Sequence, residues 1–428
     1  MNQNNSVGWP TATAIVVANI IGAGIFTSLG FQLVDTVNSW SIIILWSLGA
    51  LMALCGALSY AELGTHWKRS GGEYHFLSRA FHPLVGYLSG WVSLTVGFAA
   101  PVALSGMALG EYIGPYLGMN EAVLALSVII LISGFHSISL KKSSLVQNTT
   151  TFLKVCLILV LLFFGFKESS AETAFIWDQS WKSEIVLPAF AVSFVYVTFS
   201  YSGWNAAAYI VDEIRDVRKS LPRALLTGTI LVSVLYLALN LIFLKHSPVE
   251  NIQGELEIGK ITAVSLFGDT GGQLISFGIA FLLISSISAM VWAGPRVTQV
   301  MGEDHRFWRW FSVKTSKQIP QRAIWLQTAI TIVMVLTGTF EQVMIYSGFV
   351  LQLFAALAVA AVFVVRKRET GHRGFKSPLF PLPQLIFLLL SAWVLIYLIL
   401  AQPLETGLGL INILIGFLLY KREHRSVR

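Results

Sequence analysis

Charge is what this sequence has least of: 12% of its 428 residues are Asp, Glu, Lys or Arg, and 55% are hydrophobic. A soluble domain carries about 25% charged residues, so the composition points to an all-α integral membrane protein. Cysteine is nearly absent too. The two present, Cys55 and Cys156, fall inside apolar runs, which excludes a disulfide framework. The eight histidines have no metal-ligand spacing, so neither a metal nor a cofactor is expected. Within the apolar runs no acid, base, nucleophile or ligand set faces another, which argues against an enzyme. No Lys or Arg precedes Lys68, and the first apolar run is too long for the h-region of a signal peptide, so a cleavable leader is not expected.

What the chain does have is long apolar runs. A membrane-crossing helix needs about 20 such residues, and twelve spans are predicted: 8–34, 40–63, 83–110, 122–140, 146–166, 186–212, 224–244, 271–294, 323–339, 343–365, 381–401 and 407–420. The basic residues alternate between the connections. Lys68, Arg69 and Arg79 follow span two, Lys141 and Lys142 span four, and Arg215, Arg218, Lys219 and Arg223 span six. Arg296, Arg306, Arg309, Lys314, Lys317 and Arg322 follow span eight, and Arg366, Lys367, Arg368, Arg373 and Lys376 span ten. With Lys421, Arg422, Arg425 and Arg428 these make 24 of the 29 basic residues. The other side holds Lys167, Lys182, Lys245 and Lys260. By the positive-inside rule both termini are cytoplasmic. The net charge of +7 is therefore an orientation signal rather than a nucleic-acid footprint. One lysine, Lys154, lies inside span five.

Two spans are interrupted. Span one contains Ile20-Ile21-Gly22-Ala23-Gly24-Ile25-Phe26, where two glycines each lower helix propensity by roughly 1 kcal/mol relative to alanine. Either the helix opens here around a wet cavity, its second half pointing a helix N-terminus at an anion, or the glycines let a neighbouring helix pack closely. Span six is interrupted by Ser200-Tyr201-Ser202-Gly203. The two interruptions lie five spans apart, so spans one to five and six to ten read as two copies of one unit, oppositely inserted because five is odd. Broken helices at matching positions of inverted repeats point to a transporter's binding site.

These residues carry a resemblance. Ile21-Gly22-Ala23-Gly24-Ile25-Phe26 resembles the G-S/A-G-I-F motif of transporters of the amino acid–polyamine–organocation superfamily. Tyr60-Ala61-Glu62-Leu63-Gly64 with Ser70-Gly71-Gly72-Glu73-Tyr74 resembles its second signature. Phe199-Ser200-Tyr201-Ser202-Gly203-Trp204-Asn205, Asp212-Glu213-Ile214 and Leu221-Pro222-Arg223-Ala224 resemble the L-amino acid transporter (LAT) branch. The resemblance implies twelve transmembrane helices in a LeuT-type 5+5 inverted repeat plus two accessory helices. It divides the chain into 1–166, 167–366 and 367–428. It implies sodium-independent exchange of small neutral L-amino acids such as alanine, serine, cysteine and glycine across the cell membrane, the alternative being a proton-coupled symporter of the same fold.

Carried over to this chain, the resemblance gives the substrate carboxylate to the N–H groups of Ala23, Gly24 and Ile25, and the amino group to carbonyls around Ile20, Phe199 and Ser202. None of these segments carries a charged side chain, which suits a zwitterion. Ser202 stands where relatives with bulky substrates have glycine, which favours small ones. Phe199 reads as a lid over the substrate or as a packed aromatic. A lysine inside a span costs about 2.5 to 3.5 kcal/mol on insertion scales. Lys154 either snorkels to the cytoplasmic surface or, as the resemblance implies, replaces the sodium ion of coupled relatives, with Ser285, Ser286 or Ser288 as partners. Tyr236 resembles a gating tyrosine that contacts the first half-helix, and reads equally as a core tyrosine. Animal LAT proteins bond a heavy subunit through a cysteine after span three; residues 114–121 contain none, so no disulfide-linked partner is expected.

Overall fold

In hydrocarbon every backbone N–H and C=O must find its partner within the segment, which leaves the helix as the repeating unit of this chain. A computed structural model describes residues 7–138, 143–169, 176–315, 319–368 and 374–425. In chain order its α-helices are α1 Trp9–Ile20, α2 Gly24–Gln32, α3 Ser39–His66, α4 Glu73–Ala80, α5 Pro83–Val92, α6 Ala99–Leu117, α7 Glu121–Ile138, α8 Ser143–Lys167 and α9 Trp181–Glu184. Then follow α10 Pro188–Ser200, α11 Val217–His246, α12 Val249–Ile252, α13 Ile258–Asp304, α14 Arg306–Arg309, α15 Gln321–Thr337, α16 Phe340–Arg368, α17 Leu382–Ala401 and α18 Pro403–Arg425. Local chemistry sets several starts. Proline, whose missing N–H costs nothing in a first turn, opens α1, α5 and α10. The Asn38 side chain caps α3 by accepting from Trp40 N–H at 2.9 Å.

Among the described residues, ten helices are long and apolar enough to cross a membrane. The predicted sixth and ninth spans fall instead on the shorter apolar helices Pro188–Ser200 and Gln321–Thr337. At 13 residues, α10 extends only about 20 Å. Its shortness has a local cause: the helix stops at Ser200, and the chain continues through turns into a 3-10 segment, Ala206–Glu213. The predicted eighth span is longer than expected, running to Asp304 with a break at Gly268, where φ is 69°. Pro101, predicted to kink span three, is preceded by a π-helical stretch, Ser93–Phe98, which absorbs the hydrogen bond the proline cannot make.

The connections gather at two ends of the bundle, in the alternation that the basic residues predict. At one end Arg69 pairs with Glu303 and Asp304, Arg296 with Glu213, and Arg366 with Glu62. There Val7 N–H also donates to the Glu213 carbonyl. At the other, Asn38 meets Asp178 and Glu184, Lys245 caps the carbonyls of Gly165 and Glu168, and Gly254 N–H donates to the Gly30 carbonyl. Lys141, Lys142, Lys317, Arg373 and Arg428 lie outside the described residues.

Candidate functional site

The first interruption is a real break. Helix α1 ends at Ile20, Ile21 takes an extended conformation (ψ 93°), and α2 restarts at Gly24. The first N–H groups of a helix have no acceptor within it. Phe26 N–H returns to the Ala23 carbonyl at 3.0 Å, while those of Ala23, Gly24 and Ile25 have no backbone partner among the described residues.

The second break crosses the first at very close range. A Cβ on Gly24 would lie 2.6 Å from Ser200 Oγ, and one on Gly203, where φ is +96°, would lie 2.6 Å from the Asn19 carbonyl oxygen. Both glycines are thus required by the crossing itself, so helix opening and close packing are one feature rather than rival explanations. Ser200 Oγ lies 2.7 Å from Ser28 Oγ, tying α10 to α2.

Between the breaks lies a hollow of about 30 Å³, lined by main chain and small or apolar side chains from Ile20 to Gly24, by Ser105 and Leu104 of α6, and by Ser200, Ser202 and Phe199. No ionisable side chain lines it. That volume holds about two waters. Asn19, Pro101, Phe199, Ser202, Ala289 and Met290 border both this hollow and a vestibule of about 1300 Å³, so they form the passage between them. The vestibule extends to Arg69, Asp212, Glu213, Arg296 and Lys314, at the end of the bundle that carries most of the positive charge.

Toward the opposite end the route is sealed. Tyr112 Oη donates to the Phe26 carbonyl at 2.9 Å and accepts from Gly259 N–H at 3.1 Å. A Cβ on Gly30 would lie 2.0 Å from the Glu255 carbonyl oxygen, and Phe31 stacks on Phe340 at 5.8 Å.

Lys154 is 1% exposed and does not reach for the surface. Its Nζ donates to the carbonyls of Ile21 (2.9 Å) and Ala18 (3.3 Å) and to Ser286 Oγ (2.8 Å). All three ammonium protons are therefore used, and one side chain joins α8, the end of α1 and α13. Of the three serines considered as partners, Ser286 alone meets it. Ser288 lies two residues on, about 200° around the helix, and bonds His136 Nε2 of α7 at 2.8 Å. Ser285 is buried elsewhere on α13. Tyr236 of α11 donates to the Ile20 carbonyl at 2.7 Å, so one lone pair of that carbonyl is occupied and one remains free. The Phe199 carbonyl likewise already accepts from Ser202 N–H at 2.9 Å.

Sequence reasoning passed over Asn19, Ser105 and His136. The signal was present for Asn19 and His136, since a polar side chain within a span is a functional candidate by default. Ser105 is too small and too common in packed helices to stand out.

The family model described as amino acid permease matches residues 7–419. The chain is 28% identical over 422 residues to the serine/threonine exchanger SteT of Bacillus subtilis (strain 168), covering 97% of this chain and 95% of that protein. It is 28% identical over 412 residues to the b(0,+)-type amino acid transporter 1 of Mus musculus (93% and 83%). To the cystine/glutamate transporter of Homo sapiens it is 27% identical over 431 residues (97% and 85%).

Proposed function

The chain belongs to the amino acid permease family, multi-pass membrane proteins that transport amino acids, and on that premise we propose that it is a sodium-independent exchanger of small neutral L-amino acids. The observation that carries the reading is the hollow between the two breaks, which offers free main-chain donors on one side, carbonyls on the other and no ionisable side chain. Helix starts favour anions and helix ends favour cations. A zwitterion therefore fits with its carboxylate on the N–H groups of Ala23, Gly24 and Ile25. Its ammonium goes to the remaining lone pairs at Ile20 and Phe199 and to the Ser202 carbonyl. A charged substrate side chain would find no partner. The size of the hollow and the Ser202 side chain favour alanine, serine, cysteine and glycine, with Phe199 moving as the lid to admit them.

In this reading the Lys154 ammonium serves as a fixed cation in place of a sodium ion, held by Ser286 and the end of α1. With no dissociable metal ion, the cycle needs a substrate to return, which is exchange. Tyr236 positions the end of α1 and helps gate it. Supporting the topology, the shorter apolar helices α10 and α15 bring the crossings to twelve: spans one to five over 1–166, an inverted copy over 167–366, and two accessory spans over 367–428. By the positive-inside rule the vestibule opens to the cytoplasm, both termini lie there, and the protein sits in the cell membrane without a disulfide-linked heavy subunit.

The test is uptake of labelled alanine or serine by proteoliposomes. Uptake is expected to depend on unlabelled amino acid inside and to be indifferent to replacing sodium by choline. Equal uptake into empty vesicles, or a sodium-dependent rate, would refute exchange as described.

A further inference from the structure

One buried acid beside the vestibule takes no part in the site described above. Glu73 opens α4, is 5% exposed and borders the vestibule. Its Oε1 accepts from Tyr60 Oη of α3 at 2.5 Å and from Asn205 Nδ2 at 3.1 Å. Asn205 lies two residues beyond Gly203, in the unwound continuation of α10, so the carboxyl ties the moving half of the second broken helix to two fixed elements.

Among the described residues no cation pairs with it. The neighbouring ones are engaged elsewhere: Arg69 with Glu303 and Asp304, Arg296 with Glu213, Arg366 of α16 with Glu62, and Arg368 with the Ala80 carbonyl. The phenols of Tyr60 and Tyr209 face it. On its own helix Tyr74 donates to Asp304 at 2.7 Å. Burial, with Arg69 and Arg79, lowers the His75 pKa to about 4, keeping that ring neutral. The packed helix α5 brings one titratable side chain, Tyr87.

We propose that Glu73 is a proton-binding site coupled to the vestibule, ionised while the vestibule is open and protonated when it closes. The inference rests on reading the vestibule as the open end of an alternating-access route. An ionised carboxylate shut away from water without a counter-ion is costly, and such a group takes up a proton instead. Even in the open form, burial pushes the Glu73 carboxyl up to about 7, against the opposing pull of its Tyr60 and Asn205 donors. On closure the carboxylate takes one proton from the vestibule water to become a carboxylic acid, and on opening it returns that proton to the same side. Tyr60 still donates to the neutral acid, and the Asn205 amide, turned over, accepts from its O–H. The proton thus biases exchange without crossing the membrane. The sign follows: the closed form has the higher pKa, so acid favours closure, and that preference is lost as pH rises through it.

The experiment places a reporter thiol at Thr11, a half-buried vestibule position, as Thr11→Cys in a Cys55→Ala, Cys156→Ala background, and follows labelling of the purified full chain by a polar maleimide. Rates are compared with and without Glu73→Gln at each pH, which cancels the intrinsic thiol ionisation. The ratio of the rate with Glu73 present to the rate in Glu73→Gln is expected to rise at least ~threefold from pH 6 to pH 8, since each unit by which closure raises the pKa is worth tenfold in the open-to-closed ratio. Tyr60→Phe, which keeps the acid but removes a donor to its ionised form, is expected to move the transition to higher pH, and it remains the test if Glu73→Gln does not fold. A flat or falling ratio, or an unmoved transition in Tyr60→Phe, overturns the proposal. A rising ratio in a protein that exchanges no small neutral amino acid faults the substrate assignment instead; exchange with a flat ratio faults the proton site alone.

Discussion

Replacing Lys154 by alanine removes three buried hydrogen bonds at once. The acceptors left behind are the Ala18 and Ile21 carbonyls and Ser286 Oγ, at the end of α1 where Ile20 contributes to the hollow. Each bond to a charged donor contributes about 1.5–3 kcal/mol, and each buried acceptor left unpaired costs about 1–3 kcal/mol. If only part of this falls on the position of the α1 end, a change of about 2–4 kcal/mol alters the population of the binding-competent arrangement by a factor on the order of 30 to 1000. Lys154→Met separates the effects, since it restores most of the lost packing but none of the hydrogen bonds. Both variants are expected to fold, as judged by size-exclusion profile and thermal unfolding, and both to lose at least about tenfold in initial exchange rate, with Met no better than Ala beyond a few-fold. Wild-type exchange by either variant, or full recovery by Lys154→Met, would refute the reasoning, because packing rather than the ammonium would then be what the site requires.

Other expectations follow from the same geometry. Gly24→Ala puts a Cβ 2.6 Å from Ser200 Oγ and is expected to abolish exchange; adding Ser200→Gly should restore part of it, read as initial uptake. Gly203→Ala combines a left-handed φ with a contact on the Asn19 carbonyl, and a destabilisation of about 1–3 kcal/mol is expected in thermal unfolding. Tyr236→Phe removes the bond to the Ile20 carbonyl, a net loss of about 0.5–1.5 kcal/mol, and should slow exchange a few-fold while leaving the order of substrate preference intact. Ser202→Gly is expected to admit larger neutral side chains, measured as inhibition of labelled-alanine uptake by leucine or phenylalanine.

Much of this fold is legible in residue order alone, because hydropathy and the alternation of Lys and Arg are local signals. Gly22 and Gly24 mark a break that the structure contains, and Ser200 to Gly203 mark another. Legibility fails where three-dimensional proximity decides. Nothing in the spacing of Ser285, Ser286 and Ser288 tells which one faces Lys154, since that depends on the rotation of α13 against α8. Likewise nothing in the sequence pairs His136 with Ser288, or places Tyr60, Glu73 and Asn205 on one carboxylate, because each contact joins segments far apart in the chain. The shortness of α10 was hidden for a different reason: apolar residues continue past Ser200 while the helix does not, so hydropathy overstates its length.

The main-chain site itself is tested most directly by hydrogen–deuterium exchange of the amides of Ala23, Gly24 and Ile25 in the purified protein, with and without saturating alanine. Slower exchange of these three amides with alanine bound, and no such slowing with propionamide, which lacks both charges, is the predicted result. Unchanged exchange at all three while alanine protects another part of the chain would contradict the account.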